Sequence, residues 1–201
     1  MEIPSCMTHI APSEAPLSAD VIHIKTDKRS YIFDTGASDA AAEYINAVEG
    51  EKYLIISHFH PDHSSNLARI KADAIFSSKE VCRKIGMGEI VADKVVFEDA
   101  PLIYAANMPS SHSKGSTVLV CGEYALLGDG AYAANKGGRR VYNAYKLQKL
   151  IEFLEGLDAR WFGMSHYKGY FYEKKTVLAM LRAVYAQRKQ GEDFILADRT
   201  L

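Results

Sequence analysis

Apolar positions in this chain come in short runs, and the runs change character along its length. DVIHIKT (20–26) and SYIFDTG (30–36) are of strand type, and DKRS between them suits a β-hairpin. ASDAAAEYINAVEG (37–50) spaces its apolar residues as a helix does, with Gly50 at the place of a C-cap. YLIIS (53–57) reads as a buried strand, residues 62–70 as a helix with Pro61 near its first turn, AIFSS (74–78) as a strand, and KEVCRKIG (79–86) as a short helix ended by Gly86. A β-rich stretch follows: KVVFE (94–98), LIYAAN (102–107), STVLVC (116–121) and YALLGD (124–129), the last two joined by a tight turn at Gly122-Glu123. VYNAYKLQKLIEFLEG (141–156) is a strongly periodic helix, RWFGMS (160–165) a late strand, and residues 174–191 a final helix. Strand–helix alternation, a run of strands and renewed alternation predict an α/β (α+β) chain of two packed sheets with helices outside, a four-layer αββα sandwich. Residues 1–19, with three prolines, read as an irregular arm on a single domain spanning 1–201.

Composition narrows the class. A length of 201 residues suits one domain, and 48% hydrophobic with 24% charged residues is the balance of a globular protein. The formal net charge of −1 gives no electrostatic reason to expect nucleic acid or an anionic membrane as partner. The opening residues lack the basic and apolar segments of a signal peptide, and no apolar run approaches the roughly 20 residues that span a bilayer. Three cysteines, Cys6, Cys82 and Cys121, without CxxC spacing, fit neither a disulfide framework nor a thiolate metal site. The expectation is a cytoplasmic protein, and composition says no more than that.

Candidate chemistry concentrates in SHFHPDHSS (57–65), which holds three of the seven histidines. His58, His60, Asp62 and His63 directly follow a strand. His112 precedes a strand, while Asp129 and His166 end two others. Imidazole and carboxylate are the usual ligands of first-row metals where thiolate is absent. In an extended segment His58 and His60 point to one side, whereas Asp62 and His63 begin a helix and leave that alternation. Five histidines and two aspartates are enough for two ions with a shared carboxylate.

With these residues the sequence resembles the metallo-β-lactamase-fold hydrolases. The resemblance rests on Asp34 in FDTG, the HxHxDH box HFHPDH (58–63), His112 in SSHSKGS, Asp129 in LLGDG and His166 in MSHYKG, all in the family's order. It implies a four-layer sandwich of the metallo-β-lactamase type. It implies two divalent ions, zinc first and iron or manganese as alternatives. His58, His60 and His112 would hold one ion and Asp62, His63 and His166 the other, with Asp129 bridging and Asp34 orienting a ligand from behind. The implied chemistry is attack by a metal-activated water, with Asp62 orienting it or relaying its proton. Flavo-diiron relatives carry Glu where this chain has His60, which points to hydrolysis. Nucleases of the family insert a domain between Asp129 and His166, where this chain has 36 residues. Hydroxyacylglutathione hydrolases add a helical domain after the last His, and only 35 residues follow His166 here. The leading expectation is cleavage of a small ester, thioester or lactone. The alternatives are a phosphodiesterase, an iron-dependent redox enzyme and a non-catalytic metal-binding module.

Other residues carry weaker expectations. Lys114 either neutralises an anionic substrate or is an exposed loop lysine. ANKGGRR (134–140), with Arg139, reads as a basic lid or as a solvated loop. Tyr132 and Tyr167 stand near proposed ligands and are candidate substrate contacts, though aromatics at strand ends more often pack. His9 and His23 are expected outside the site, His23 on the surface. Leu147, Leu150, Ile151 and Leu154 form one helical stripe and Leu178, Leu181 and Tyr185 another; both are assigned to packing on a sheet, the alternative being a homodimer face.

Overall fold

The structure, a computed structural model, describes residues 3–166 and 169–197. The first half contains β1 (Met7–Ile10), a ribbon of β2 (Ser13–Glu14) and β3 (Leu17–Ser18), β4 (Val21–Lys25), β5 (Ser30–Phe33), α1 (Asp39–Ala47), β6 (Lys52–Ile55), α2 (Pro61–Ser64), a 3-10 turn at Ser65–Arg69, β7 (Ala74–Ser77), α3 (Lys79–Ile85) and β8 (Glu89–Ile90). The second half contains β9 (Lys94–Phe97), β10 (Ile103–Asn107), β11 (Thr117–Cys121), β12 (Tyr124–Gly128), β13 (Ala134–Lys136), β14 (Arg139–Asn143), α4 (Ala144–Gly156), β15 (Trp161–Met164), β16 (Phe171–Glu173), α5 (Lys174–Tyr185) and β17 (Phe194–Leu196). One sheet has the order β1-β4-β5-β6-β7-β8 and the other β16-β15-β12-β11-β10-β9. β5, β6, β7 and β8 run parallel, as do β12 and β15.

The period of two along the strands builds the layers. Ile22, Ile24, Tyr31, Phe33 and Ile55 face the second sheet and meet Ile103, Ala105, Leu119, Leu126 and Phe171. Their neighbours Val21, Ile32, Leu54 and Ile56 face the other way and pack with Ala41 and Ile45 of α1 and Val81 of α3. On the far side, Val118, Val120, Ala125, Leu127 and Phe162 receive Leu147, Leu150, Ile151 and Leu154 of α4 and Val177, Leu178 and Leu181 of α5. The layering is therefore αββα, and both helical stripes pack on the second sheet. No helix among the described residues is long and apolar enough to cross a membrane.

Five readings from sequence need correction. Residues 1–19 are not an irregular arm throughout: Met7–Ile10 forms β1, paired with Val21–Ile24 along the sheet edge. The stretch 134–140 is not a loop but most of a hairpin, β13 against β14, turning at Gly137-Gly138 with φ of 56° and 77°. Residues 141–143 belong to that hairpin, so α4 starts at Ala144 behind the Asn143 cap. His23 is buried, with Nδ1 at 2.8 Å from Tyr44 Oη and Nε2 at 3.0 Å from Ser30 Oγ. The expected helix over 62–70 is a single α-turn followed by the 3-10 turn.

Candidate metal centre

The parallel strands deliver the cluster. β6 lies between β5 and β7, and His58 comes three residues after it. His60 caps α2, Pro61 starts it, and Asp62 and His63 lie in its only turn. In the second sheet β12 and β15 run side by side, so Asp129 and His166 leave at the same edge, and the Ser165 amide bonds to the Gly128 carbonyl at 3.2 Å. The Thr117 amide donates to the Ser57 carbonyl at 2.8 Å, which joins the two sheets at this edge. The loop before β11 brings His112, whose amide donates to Ser110 Oγ at 3.1 Å.

The side chains form two groups, His58, His60 and His112 in one and Asp62, His63, Asp129 and His166 in the other, each with ligand atoms within 4.8 Å of one another. His112 Nε2 is 3.1 Å from His60 Nδ1. In the second group His166 Nε2 is 2.9 Å from Asp62 Oδ2, and His63 Nε2 is 3.5 Å from the same oxygen. Asp129 faces both groups: Oδ2 is 3.3 Å from His112 Nε2, and Oδ1 is 3.3 Å from His63 Nε2.

Behind the cluster Asp34 is fully buried. Its Oδ2 accepts from His63 Nδ1 at 2.6 Å and from Ser57 Oγ at 2.7 Å, and its Oδ1 accepts from the Ser57 amide at 2.7 Å. Ser57 Oγ in turn lies 3.0 Å from His58 Nδ1. Asp34 thus orients His63 directly and His58 through Ser57, leaving both Nε2 atoms aimed into the cluster. Gly128 makes room for this arrangement. Its φ is +55°, and a Cβ there would come within 2.6 Å of Ser57 Oγ and 2.7 Å of Ser57 Cβ. Gly128→Ala is expected to cost about 2–4 kcal/mol, from left-handed backbone and overpacking together. Denaturant unfolding checks this, and a loss below about 1 kcal/mol would contradict the close approach.

Three polar atoms test whether metal fits. His58 Nε2, His63 Nε2 and Asp129 Oδ1 are buried without a hydrogen-bond partner, which a folded protein seldom tolerates. They are three of six such atoms among the described residues, with Arg29 Nε, Ser165 Oγ and Tyr170 Oη, and these three belong to the candidate ligand set. Ligands of a tetrahedral ion with bonds of 2.0–2.1 Å stand about 3.3 Å apart. Four separations within the two groups, 2.9 to 3.5 Å, lie near that edge, and the 3.9 Å from His166 Nε2 to Asp129 Oδ1 is wider. Burial, reinforced by the neighbouring imidazoles, holds His58 well below the usual histidine range, and burial beside His112 lowers His60. Both are therefore neutral, the form that binds metal. Burial also disfavours charge on His63, but the carboxylates of Asp34 and Asp129 outweigh it and push His63 up to about 10. The hydrogen bond to Asp62 raises His166. Burial works to raise Asp62, but its bond to His166 and the charge of His63 prevail and lower it.

Residues 15–80 match the sequence pattern of the metallo-beta-lactamase superfamily. A metallo-β-lactamase from Erythrobacter litoralis, with β-mercaptoethanol in its active site, superposes with a TM-score of 0.67 at 14% identity, covering 94% of this chain and 96% of its own. This chain has the metallo-β-lactamase fold. The chemotaxis sensor ODP, in a peroxy diiron state, superposes with a TM-score of 0.68 at 17% identity over 96% of each chain. An archaeal metallo-β-lactamase superfamily protein from Sulfolobus tokodaii gives 0.60 at 16% identity, covering 93% of this chain and 90% of its own. No curated protein sequence matches the chain.

Within this metallo-β-lactamase fold the other candidates scatter. Lys114 is exposed and lines a cavity of about 260 Å³ with Glu80, Asn107, Met108 and Ser110, beside the His112 loop. The Tyr132 hydroxyl donates to the Ser165 carbonyl next to His166, and its ring centre is 6.4 Å from that of His112. Arg139 is exposed at the hairpin end opposite Lys136, while the base of that hairpin reaches the cluster through the Ala133 carbonyl, 3.2 Å from His112 Nδ1. Tyr167 lies outside the described residues. Ser57 and Asp20 escaped the sequence reading. Only Ser57 left a signal, as a polar residue closing a buried strand just before the box. His9, expected to stand outside the site, has Nε2 at 2.6 Å from Asp20 Oδ1.

Proposed function

We propose that this protein is a metal-dependent hydrolase that holds two divalent ions, zinc first, and cleaves an ester, thioester or lactone bond of a small molecule. The observation that carries the reading is the all-imidazole group His58, His60 and His112 beside the mixed group, with Asp129 between them. Three neutral ligands leave an ion's charge uncompensated, which favours acidifying a water over storing electrons. Bound zinc supplies a water deprotonated near neutral pH and a Lewis acid for the substrate's carbonyl oxygen. Asp34 and Ser57 fix the ring orientations. Asp62 is the more exposed of the two ligand carboxylates, 16% against 8% for Asp129, so it is the one we assign to pass a proton towards solvent. Between Asp129 and His166 the chain forms only a hairpin, α4 and β15, which leaves no inserted domain to hold a polymer and favours a small substrate. Lys114, at the cavity beside His112, is placed to pair with an anionic substrate group. Three free cysteines fit a reducing, cytoplasmic setting.

Iron-dependent oxygen chemistry is the second reading, favoured by the likeness to the peroxy diiron sensor. Metal content after purification without added metal, paired with model esters, thioesters, lactones and phosphodiesters, separates the two. The expected result is two zinc per chain and turnover of one carbonyl bond class. Phosphodiester turnover alone would overturn the bond class, and iron with oxygen consumption would move the assignment to the redox reading.

A further inference from the structure

The segment Ser18-Ala19-Asp20, between β3 and β4, touches the second ligand group at two points. The Ala19 amide donates to the carbonyl of Asp62 at 2.9 Å. Asp20 Oδ2 accepts from the amide of His166 at 2.8 Å, across 146 positions of sequence. Asp20 is 2% exposed, and its other oxygen, Oδ1, lies 2.6 Å from Nε2 of His9 on β1. The His9 ring lies against Tyr170, with centroids 5.0 Å apart. Ser18 Oγ accepts from the amides of Ala37 and Ser38 at 2.9 and 3.2 Å, which pins the segment to the loop after Asp34.

His166 needs such a hold. Its φ is +60°, a left-handed conformation that costs a residue with a Cβ of the order of 1 kcal/mol. The conformation persists only where the surroundings fix it. A carboxylate accepting the His166 amide is a charge-assisted bond, here with a buried acceptor, and the His9 imidazole fixes the direction of that carboxylate. Of the cluster residues, Ala19 and Asp20 bond to Asp62 and His166, both of the second group, whereas His58, His60 and His112 are set by β6, α2 and the loop before β11.

We infer that Asp20, backed by His9, is the positioning residue for His166, so that the N-terminal strand governs filling of the Asp62–His63–His166 site and not of the three-histidine site. This rests on the two-ion reading above. It makes Asp20 and His9 determinants of metal stoichiometry although neither touches an ion.

The test is competitive titration of metal-free protein with zinc against a chromophoric chelator, with far-UV circular dichroism as the check on folding. Wild type is expected to take two zinc per chain. Asp20→Ala should weaken the second zinc about 10- to 100-fold, the range for residues that orient a ligand from behind, and leave the first within about twofold. Asp20→Asn keeps one acceptor oxygen and should fall between. His9→Gln keeps an N–H donor and should hold the second zinc better than His9→Ala. If Asp20→Ala does not fold, Asp20→Asn and His9→Ala carry the same reading. An unchanged second site, or equal weakening of both sites, overturns the inference while the two-ion reading stands. A wild type that takes a single zinc at saturation overturns both.

Discussion

Asp129→Ala is expected to remove metal and hydrolysis together. The Asp129 carboxylate presents Oδ2 to His112 and Oδ1 to His63, each at 3.3 Å, and Oδ1 also lies 3.9 Å from His166 Nε2. On the two-ion reading, one truncation therefore takes a ligand from both sites. The Asp129 side chain is buried, so water does not readily take its place. Truncation of residues that only orient a ligand costs 10- to 100-fold in affinity or activity, and a shared ligand should exceed the upper end. We expect metal content below one ion per chain and a fall in kcat/KM of more than about 100-fold, with far-UV circular dichroism unchanged. Asp129→Glu keeps the charge but moves the oxygens outward, and should recover metal before it recovers turnover. Elemental analysis of both variants beside the ester panel checks this. Two ions and wild-type turnover in Asp129→Ala would show that the shared-carboxylate assignment is wrong.

The candidate ligands were far more legible in the sequence than the residues behind them, for a physical reason. His58, His60, Asp62 and His63 crowd one stretch, and His112, Asp129 and His166 each stand beside a strand, so residue type and element edge together marked them. Supports have no such mark. Asp20 bonds to a residue 146 positions away and His9 to one 11 positions away, and no periodicity encodes either pairing. β1 was hidden because Pro4, Pro12 and Pro16 crowd its four residues, and because its partner strand creates it as an edge. The layers were legible because Val21, Ile32, Leu54 and Ile56 alternate strictly with residues facing the other sheet. At 134–143 two signals competed. Gly137-Gly138 is a two-residue hairpin turn with both φ positive, but the apolar spacing of VYNAYKL ran on into α4 and drew the helix three residues too early.

Removing metal should lower the melting temperature more than most single substitutions would. Asp34 and Asp129 are buried and Asp62 half-buried around one cluster, with Asp20 buried beside His166. Without a cation their charge is balanced by the imidazoles of His63 and His166, both held above the usual histidine range by those carboxylates. A divalent ion does the same with shorter, stronger bonds and engages His58 Nε2 and Asp129 Oδ1, which otherwise make no hydrogen bond. A ligand at 1,000 times its Kd stabilises the folded state by about 4.1 kcal/mol. For a domain of this size about 1 kcal/mol corresponds to 2–4 °C, so chelation should lower Tm by roughly 8–16 °C for each ion lost. Returning zinc should restore it progressively, by about 3–6 °C for each tenfold rise in free zinc at each filled site. Scanning calorimetry in EDTA and in zinc-buffered solution makes the comparison, with metal content measured on the same samples. If the chelated protein is metal-free and its Tm is unchanged, the buried histidines and aspartates sustain themselves as a hydrogen-bonded network, and the cluster is not a metal centre.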